Sequence, residues 1–361
     1  MRPRSWRAAP RDRRAAAGSD GEHTRLPRAR WERAKGRSRD ASVQFLLRLL
    51  TCVAFCGTAA AQDGPEAGVH ETVAAYPEQS AFEVTLSAEG GLEGPAAEWF
   101  RAEAAEAQFV FIGEEHDVRE VPILVAALWR ELAPLGYEHV AIEAGPWLGD
   151  RLDRFARFSD QEALSHFQGA TWPRLPNNSV PPISEEDVAF YAELGNVSGP
   201  HRKSAAPLIW GLDAEYRAAP LLKRLAELSP RVMFRLGAYH ASRGLMHDFG
   251  TSTRANFVAE LAVTERTRML NLAIINCGDT PPGDFPRPCT WEQQRALRPF
   301  RSAAVADWTL FDLRGLRAPL RQARLNGLQS YPDGWEYWDL VMSFDAVILL
   351  DRSEPSRLPG Q

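Results

Sequence analysis

The chain has 361 residues, enough for one large or two modest domains, and 45% of them are apolar, which suffices for a substantial core. Its charge is unevenly divided, because the first 61 residues contain 14 Lys or Arg against 5 Asp or Glu. The remainder holds 28 basic and 42 acidic side chains, a formal charge of −14. This acidity excludes nucleic acid and anionic membrane surfaces as partners, since neither would be attracted to such a body.

Residues 1–61 have the composition of an arginine-rich arm followed by a secretory signal peptide. Residues 1–42 are polar and without periodicity, so no structure is predicted for them. The apolar segment 43–57 and the small residues after it form the pattern of a secretory signal, with cleavage expected near Ala61. An uncleaved membrane anchor is the alternative, which Arg48 and the short length of the segment disfavour. We therefore expect an exported protein, periplasmic or secreted, without stable membrane insertion after cleavage.

The cysteines fall into two pairs. Cys52 and Cys56 leave with the signal peptide, whereas Cys277 and Cys289 flank a proline-rich loop. An even pair around a short loop in an exported protein predicts a disulfide. Two unpaired buried thiols are the alternative.

Residues 62–95 are rich in Gly, Pro and Glu and predict a poorly ordered lead-in. A helix over 98–107 then leads to a first strand over 108–112. The next helix, over 119–134, presents apolar residues on one face and has a proline in its first turn. A second strand covers 138–143, and a strand–helix–strand unit of this length implies a right-handed parallel crossover.

Strands and helices continue to alternate along the rest of the chain. Further strands are predicted at 207–212, 232–236, 270–275, 303–310 and 344–350, and helices at 221–228 and 252–262. The alternation predicts an α/β domain over residues 96–352, a mostly parallel sheet flanked by helices on both faces, with a polar tail at 353–361.

Residues 148–200 break this alternation. An insertion of helical patches and loops of this size predicts a cap at the carboxyl edge of the sheet. Its aromatic side chains either form an apolar wall for a substrate or merely pack the cap onto the body. These side chains are Trp147, Phe167 and Trp172.

Acidic and histidine side chains follow four successive strands. In chain order they are Glu114 and His116, Glu143, Asp213 and Glu215, and His240. Any one of them alone would be an ordinary surface residue. Because the carboxyl ends of parallel strands meet at one edge of a sheet, we expect them to share a pocket and to perturb one another's pKa values.

These motifs resemble a known superfamily. Gly113-Glu114-Glu115-His116, the strand-ending Glu143 and a second Gly-x-x-His at 237–240 are similar to the signature that unites erythromycin esterases, ChaN-like haem-uptake lipoproteins and Tiki proteases. The resemblance covers about residues 96–352. The single residue between Glu114 and His116 resembles the ChaN and Tiki branches, whereas Glu120, the strand end at 211–213 and the closing strand at 344–352 resemble the esterases.

The resemblance implies a hydrolase with a small-molecule substrate and two alternative mechanisms. In the Tiki-like mechanism, His116, Glu143 and His240 hold a divalent metal (Zn, Mn or Co), whose bound water attacks, and Glu114 lies behind these ligands. In the esterase-like mechanism, His116 is a general base oriented by Glu114 and Glu143, and His240 or Arg243 steadies the oxyanion. The residues expected to contact substrate are Asp213, Glu215, Arg243, Trp147 and Trp172.

A covalent intermediate is disfavoured. The chain has no Gly-x-Ser-x-Gly elbow, and the expected disulfide removes the remaining thiols as nucleophiles, so water attacks directly. The ChaN-like branch implies a different class of protein, a haem or iron binding uptake protein with haem as its cofactor. The short Glu-x-His spacing and the exported context motivate this alternative.

Overall fold

The structure, a computed structural model, describes residues 75–160, 162–163, 183–201, 206–212, 230–244, 253–264, 266–276, 291–325 and 337–357. The arginine-rich arm and the signal segment lie outside the described residues, as does the helix predicted at 221–228. The same holds for Phe167, Trp172, Asp213, Glu215, Cys277 and Cys289. Among the helices of the described ranges, none has the length and apolar character needed to cross a membrane.

An eight-stranded sheet organises the described part of the chain. Its strands are β1 (Ala81–Glu83), β4 (Phe109–Glu114), β5 (Tyr137–Ile142), β6 (Ile209–Gly211), β7 (Arg231–Gly237), β8 (Met269–Asn276), β9 (Trp308–Asp312) and β10 (Ala346–Leu350); β2 (Thr85–Leu86) and β3 (Leu92–Glu93) form a separate pair. The spatial order is β1-β9-β10-β8-β4-β7-β5-β6. Neighbours from β10 to β6 pair in parallel, whereas β9 is antiparallel to both β10 and β1. The predicted mostly parallel sheet is confirmed.

Helices cover both faces of this sheet. They are α1 (Gly94–Glu106), α2 (Glu120–Leu132), α3 (Pro146–Phe158), α4 (Glu185–Ser198), α5 (Ala238–Ala241), α6 (Arg254–Thr264), α7 (Trp291–Ser302), α8 (Arg317–Leu325) and α9 (Tyr337–Ser343). Because side chains alternate along a strand, β4 contributes to two cores. Val110 and Ile112 pack with α1 to α4, whereas Phe109 and Phe111 pack with α6 to α9.

The strand register determines where the candidate active-site residues lie relative to the edge of the sheet. Glu114 is the Cα partner of Gly237, and Ile142 is the partner of Arg235. The last residues of β4, β5 and β7 therefore leave the sheet at one edge, with β7 inserted between the other two strands. This edge is where open α/β sheets carry their ligands.

The predicted lead-in at 62–95 needs correction over residues 81–95. Ala81–Glu83 pairs with β9, the β2–β3 pair follows, and α1 begins at Gly94 rather than near residue 98. Phe82, Val84 and Leu86 alternate with polar residues, and all three pack on the core. This period of two is a strand signal that the Gly and Pro content of the whole segment obscured.

Candidate active site

Glu114, His116, Glu143 and His240 converge at the carboxyl ends of β4, β5 and β7. Glu143 lies between the two imidazoles, with Oε1 2.9 Å from His240 Nε2 and Oε2 3.8 Å from His116 Nε2. On the other side of the ring, His116 Nδ1 lies 3.6 Å from Glu114 Oε1. The structure thus brings together four of the residues that the sequence singled out.

Two glycines allow this close approach. A Cβ on Gly237 would lie 2.9 Å from His116 Nε2 and 3.1 Å from Glu143 Oε2, and the Gly237 N–H donates to Glu143 Oε2 at 2.7 Å. A Cβ on Gly113 would lie 2.5 Å from the Cβ of Ala241 and would displace α5, the helix that carries His240. Each glycine is therefore required because backbone and side chains meet where a Cβ would be.

The loop after β4 is secured from the far end of the chain. Asp117 has a φ of 65°, in the left-handed region that Asp tolerates better than most residues. Its carbonyl accepts a hydrogen bond from Ser356 N at 3.0 Å, and Val118 forms a β-bridge with Pro355. Residues 353–357, predicted as a polar tail, are instead a C-terminal strap across the loop that carries His116. The pairing is non-local, so no local pattern signals it.

Both carboxylates of the site are held ionised. Burial opposes ionisation of Glu143, but hydrogen bonds from His240 and the Gly237 N–H outweigh it and lower the pKa of Glu143 to about 2. Burial also opposes ionisation of Glu114, yet the charge of Arg235 and the contact with His116 hold the pKa of Glu114 below its usual value.

His116 lies between these two negative charges. Burial lowers its pKa, but the contact with Glu114 and the charges of Glu114 and Glu143 raise it above the ordinary 6.5. The His116 side chain is 35% exposed and so remains open to water. An accessible imidazole whose protonated form is stabilised on both sides is suited to accept a proton from water.

The sequence analysis missed a buried arginine, Arg235, that binds Glu114 beside the two imidazoles. Arg235 is only 7% exposed, although its neighbours in β7, residues 232–234 and Leu236, are apolar. Its Nε donates to Glu114 Oε2 at 2.7 Å and its Nη2 donates to Asp187 Oδ1 at 2.8 Å. The signal was in the sequence, because a charged residue inside an apolar strand is buried only when it is paired.

A pocket of about 70 Å³ lies at this edge of the sheet. Its apolar wall comes mainly from the β4–α2 region, β5 and α3, through Val118, Val121, Ile142, Leu148 and Leu152. Its polar wall contains Glu114, His116, Glu143 and Arg235. Ser184, Asp187 and Tyr191 close it from the predicted cap, and Ser356 closes it from the strap. Residues of the segment predicted as a cap therefore contribute to the pocket wall.

Arg243 lies elsewhere than expected. Its Nη2 donates to Asp345 Oδ1 at 2.7 Å and its Nε donates to Ser343 O at 3.1 Å. Asp345 Oδ2 accepts from Asn271 N, and Asn271 is the strand partner of Phe111. Phe111 precedes Glu114 by three residues, about 10 Å along the strand. The prediction that Arg243 steadies an oxyanion beside His116 is therefore corrected, since its guanidinium is bound to a structural carboxylate.

Trp147 is the other described residue of the predicted substrate-binding set. It is the second residue of α3, four residues after Glu143, and its side chain is 56% exposed. The guanidinium of Arg151 lies 5.4 Å from its ring centroid. Trp147 therefore stands on the surface near the strand end and does not line the pocket.

Metal ions require particular sets of ligand side chains. Within the described ranges, no three or more His, Cys, Asp or Glu side chains are arranged so that they could hold a metal ion. The Nε2 atoms of both imidazoles are directed at Glu143, one at each carboxylate oxygen.

The comparisons with known proteins concern the fold. No family model matches the sequence, and no curated protein matches it. Two solved Bacillus cereus structures are similar, each with 12% sequence identity and a TM-score of 0.55. One protein has no functional name and matches over 80% of this chain and 98% of its own; the other, named a succinoglycan biosynthesis protein, matches over 81% and 99%. The chain shares the α/β fold of these two proteins.

Proposed function

We propose that the chain is a hydrolase in which His116 activates water to cleave an ester, lactone or related bond of a small molecule. The observation that carries this proposal is the position of Glu143 between two imidazoles at the pocket. His116 Nε2 and Glu143 Oε2 are 3.8 Å apart, too far for a direct hydrogen bond. One water can lie about 2.8 Å from both atoms, where it would be held and deprotonated together.

The proposed reaction uses side chains alone. Glu143 orients the water, the water gives a proton to His116, and the hydroxide attacks the carbonyl carbon. Glu114 and Glu143 stabilise the imidazolium that forms. His116 then returns the proton to the leaving oxygen as the tetrahedral intermediate collapses. His240 fixes Glu143 through the 2.9 Å contact, so its role in this reaction is to hold the carboxylate that orients the water.

The test is a hydrolysis panel on purified protein. It contains aryl esters, alkyl esters, lactones and peptides, each assayed with and without added divalent cation. We expect turnover of at least one ester or lactone without added metal. If no member is hydrolysed, or if only peptides are hydrolysed and only with metal, the proposal is wrong.

Metal removal should leave the hydrolysis rate unchanged. The reason is that the proposed reaction needs only the His116 imidazole and the carboxylates of Glu114 and Glu143, which lie within 3.8 Å of that ring. The measurement compares rates before and after dialysis against a chelator, with elemental analysis of the dialysed protein. A loss of tenfold or more that Zn²⁺, Mn²⁺ or Co²⁺ restores would instead support the metal-dependent mechanism.

We also propose that the protein is exported and oxidised. Mature protein from an exporting host should begin near residue 62 and contain a Cys277–Cys289 disulfide. Intact mass before and after reduction and alkylation measures both features. Retention of the apolar segment 43–57, or alkylation of both thiols without prior reduction, would contradict this expectation.

A further inference from the structure

One buried arginine joins the cap to the pocket. The guanidinium of Arg235 binds Glu114 with one edge and Asp187 with another, and it stacks on the Phe190 ring at 4.5 Å. Its third nitrogen, Nη1, is buried and has no hydrogen-bond partner among the described residues. A buried ion network with an unsatisfied donor is a poor way to gain stability, because apolar side chains often serve as well. Its geometry therefore calls for another explanation.

Asp187 is held by the start of helix α4. Its Oδ2 accepts from the Ser184 N–H at 3.2 Å and from the Ser184 hydroxyl at 2.9 Å, while the Asp187 N–H donates to Ser184 Oγ at 3.0 Å. This reciprocal arrangement is a capping box. Its other oxygen, Oδ1, is left to bind Arg235. The position of this oxygen is therefore set by the first turn of the cap helix.

Arg235, which is held by Asp187, in turn fixes the orientation of the Glu114 carboxylate. Glu114 Oε2 accepts from Arg235 Nε, which turns Oε1 toward His116 Nδ1. The planar guanidinium fixes two carboxylates relative to each other in a way that a point charge does not. A continuous chain of contacts thus runs from the cap helix to the imidazole: Ser184, Asp187, Arg235, Glu114 and His116.

We propose that Asp187 is a positioning residue, which acts through Arg235 to orient Glu114 and hence the His116 imidazole. Helix α4 then does more than line the pocket, because the contact between its first turn and Arg235 orients the His116 imidazole. The kinetic consequence rests on the hydrolase function proposed above. The effect on the His116 ring does not.

Two substitutions separate this role from helix capping. Asp187→Asn removes the charge that binds Arg235, whereas Ser184→Ala removes the capping hydroxyl and leaves the Asp187–Arg235 ion pair in place. Both substitutions weaken the capping box and should lower Tm. Glu185→Gln is the charge control, because Glu185 lies in the same helical turn but its side chain is 49% exposed and 3.9 Å from Arg357.

We expect Asp187→Asn to lower kcat at least tenfold with less than a threefold change in KM. Glu185→Gln should keep kcat within twofold of the wild type, whereas Ser184→Ala, which retains the Asp187–Arg235 ion pair, should lower kcat less than Asp187→Asn does. Heteronuclear NMR at fixed pH should show a larger shift of the His116 ring ¹⁵N resonances in Asp187→Asn than in Ser184→Ala, and no shift in Glu185→Gln. Thermal melts confirm that each variant is folded at the assay temperature, and Asp187→Ser replaces Asp187→Asn if the latter is not.

The kinetic measurement and the NMR measurement test the hydrolase function and the positioning role separately. If no substrate is found, the hydrolase proposal fails while the ring resonances still report on the contact chain. Equal ring resonances in the Asp187 and Ser184 variants would overturn the positioning role. Equal loss of kcat in these two variants would overturn it as well, because capping alone would then explain the effect.

Discussion

Replacing His116 with Gln should lower kcat by about 10²- to 10⁴-fold, the range that a positioned general base contributes. Gln is close to His in size, so the pocket should remain intact. Its amide cannot accept the proton that the attacking water must lose. Binding contacts with the apolar wall are unaffected, so KM should change far less than kcat.

His201→Gln is the matched control for this variant. His201 is exposed and lies three residues beyond the end of α4, whose 14 residues span about 21 Å from the end that carries Asp187. Steady-state kinetics on both variants, purified in the same way, also report any contaminating esterase. A His116→Gln protein that kept a third or more of the wild-type kcat would remove His116 as the base.

The gathering of the catalytic candidates could be predicted because it depends on few facts. β4 is a short apolar run that ends in Gly113 and an acid, and α2 has a clear apolar face. Once alternation makes the strands parallel, the residues after each strand must meet at one edge. The alternation predicts the shared edge, and Glu143 and His240 meet His116 there because β4, β7 and β5 are neighbours in the sheet.

The carboxylates that bind Arg235 could not be predicted, because local sequence patterns do not determine the order of strands in a sheet. β7 comes late in the chain and inserts between β4 and β5. Only that insertion places Arg235 beside Glu114 and opposite the cap helix. From sequence alone, the charge could be recognised as buried, but its two carboxylates could not be chosen among the acidic residues of the chain.

Arg243 illustrates the opposite error. It follows His240 by three residues, so proximity in sequence suggested a shared site. After Gly237 the chain forms α5, which packs against Gly113 through Ala241. The Ala241 carbonyl accepts from Asn271 Nδ2 at 2.7 Å. The chain thereby turns back along the sheet and carries Arg243 to Asp345, a direction that depends on contacts among three strands.

Replacing Asp345 with Asn should lower the free energy of unfolding by about 3 kcal/mol at pH 7, the scale for removing one member of a buried ion pair. Asp345 is 5% exposed. Its Oδ1 accepts from Arg243 and Arg317, each at 2.7 Å, and its Oδ2 accepts from Asn271 N at 2.9 Å. The variant leaves two guanidinium groups without their carboxylate.

A surface ion pair provides the control. Asp307 lies 3.6 Å from Arg352, and their side chains are 60% and 81% exposed. Asp307→Asn should therefore change the free energy of unfolding by less than about 1 kcal/mol. Urea unfolding of both variants and the wild type measures the difference. Equal effects of the two substitutions would show that the Asp345 cluster contributes no more than a surface pair.

The effect of Asp345→Asn should also depend on pH in a definite direction. Burial raises the pKa of Asp345, but the charges of Arg243 and Arg317 outweigh it, so the pKa in the folded protein lies below the ordinary 3.8. Stability from this carboxylate is therefore complete well above pH 3.8 and is lost as the pH falls through the folded-state value. The difference between wild type and variant should be the same at pH 7 and pH 5 and should shrink below 3.8.

This stability series also tests the assignment of Arg243. If Arg243 serves only the Asp345 cluster, Asp345→Asn should keep kcat within threefold of the wild type at temperatures where it is folded. Steady-state kinetics well below its Tm provide the measurement. A loss of kcat as large as that of His116→Gln would mean that the freed guanidinium or its loop reaches the pocket. Arg243 would then again be a candidate active-site residue, despite its ion pair with Asp345.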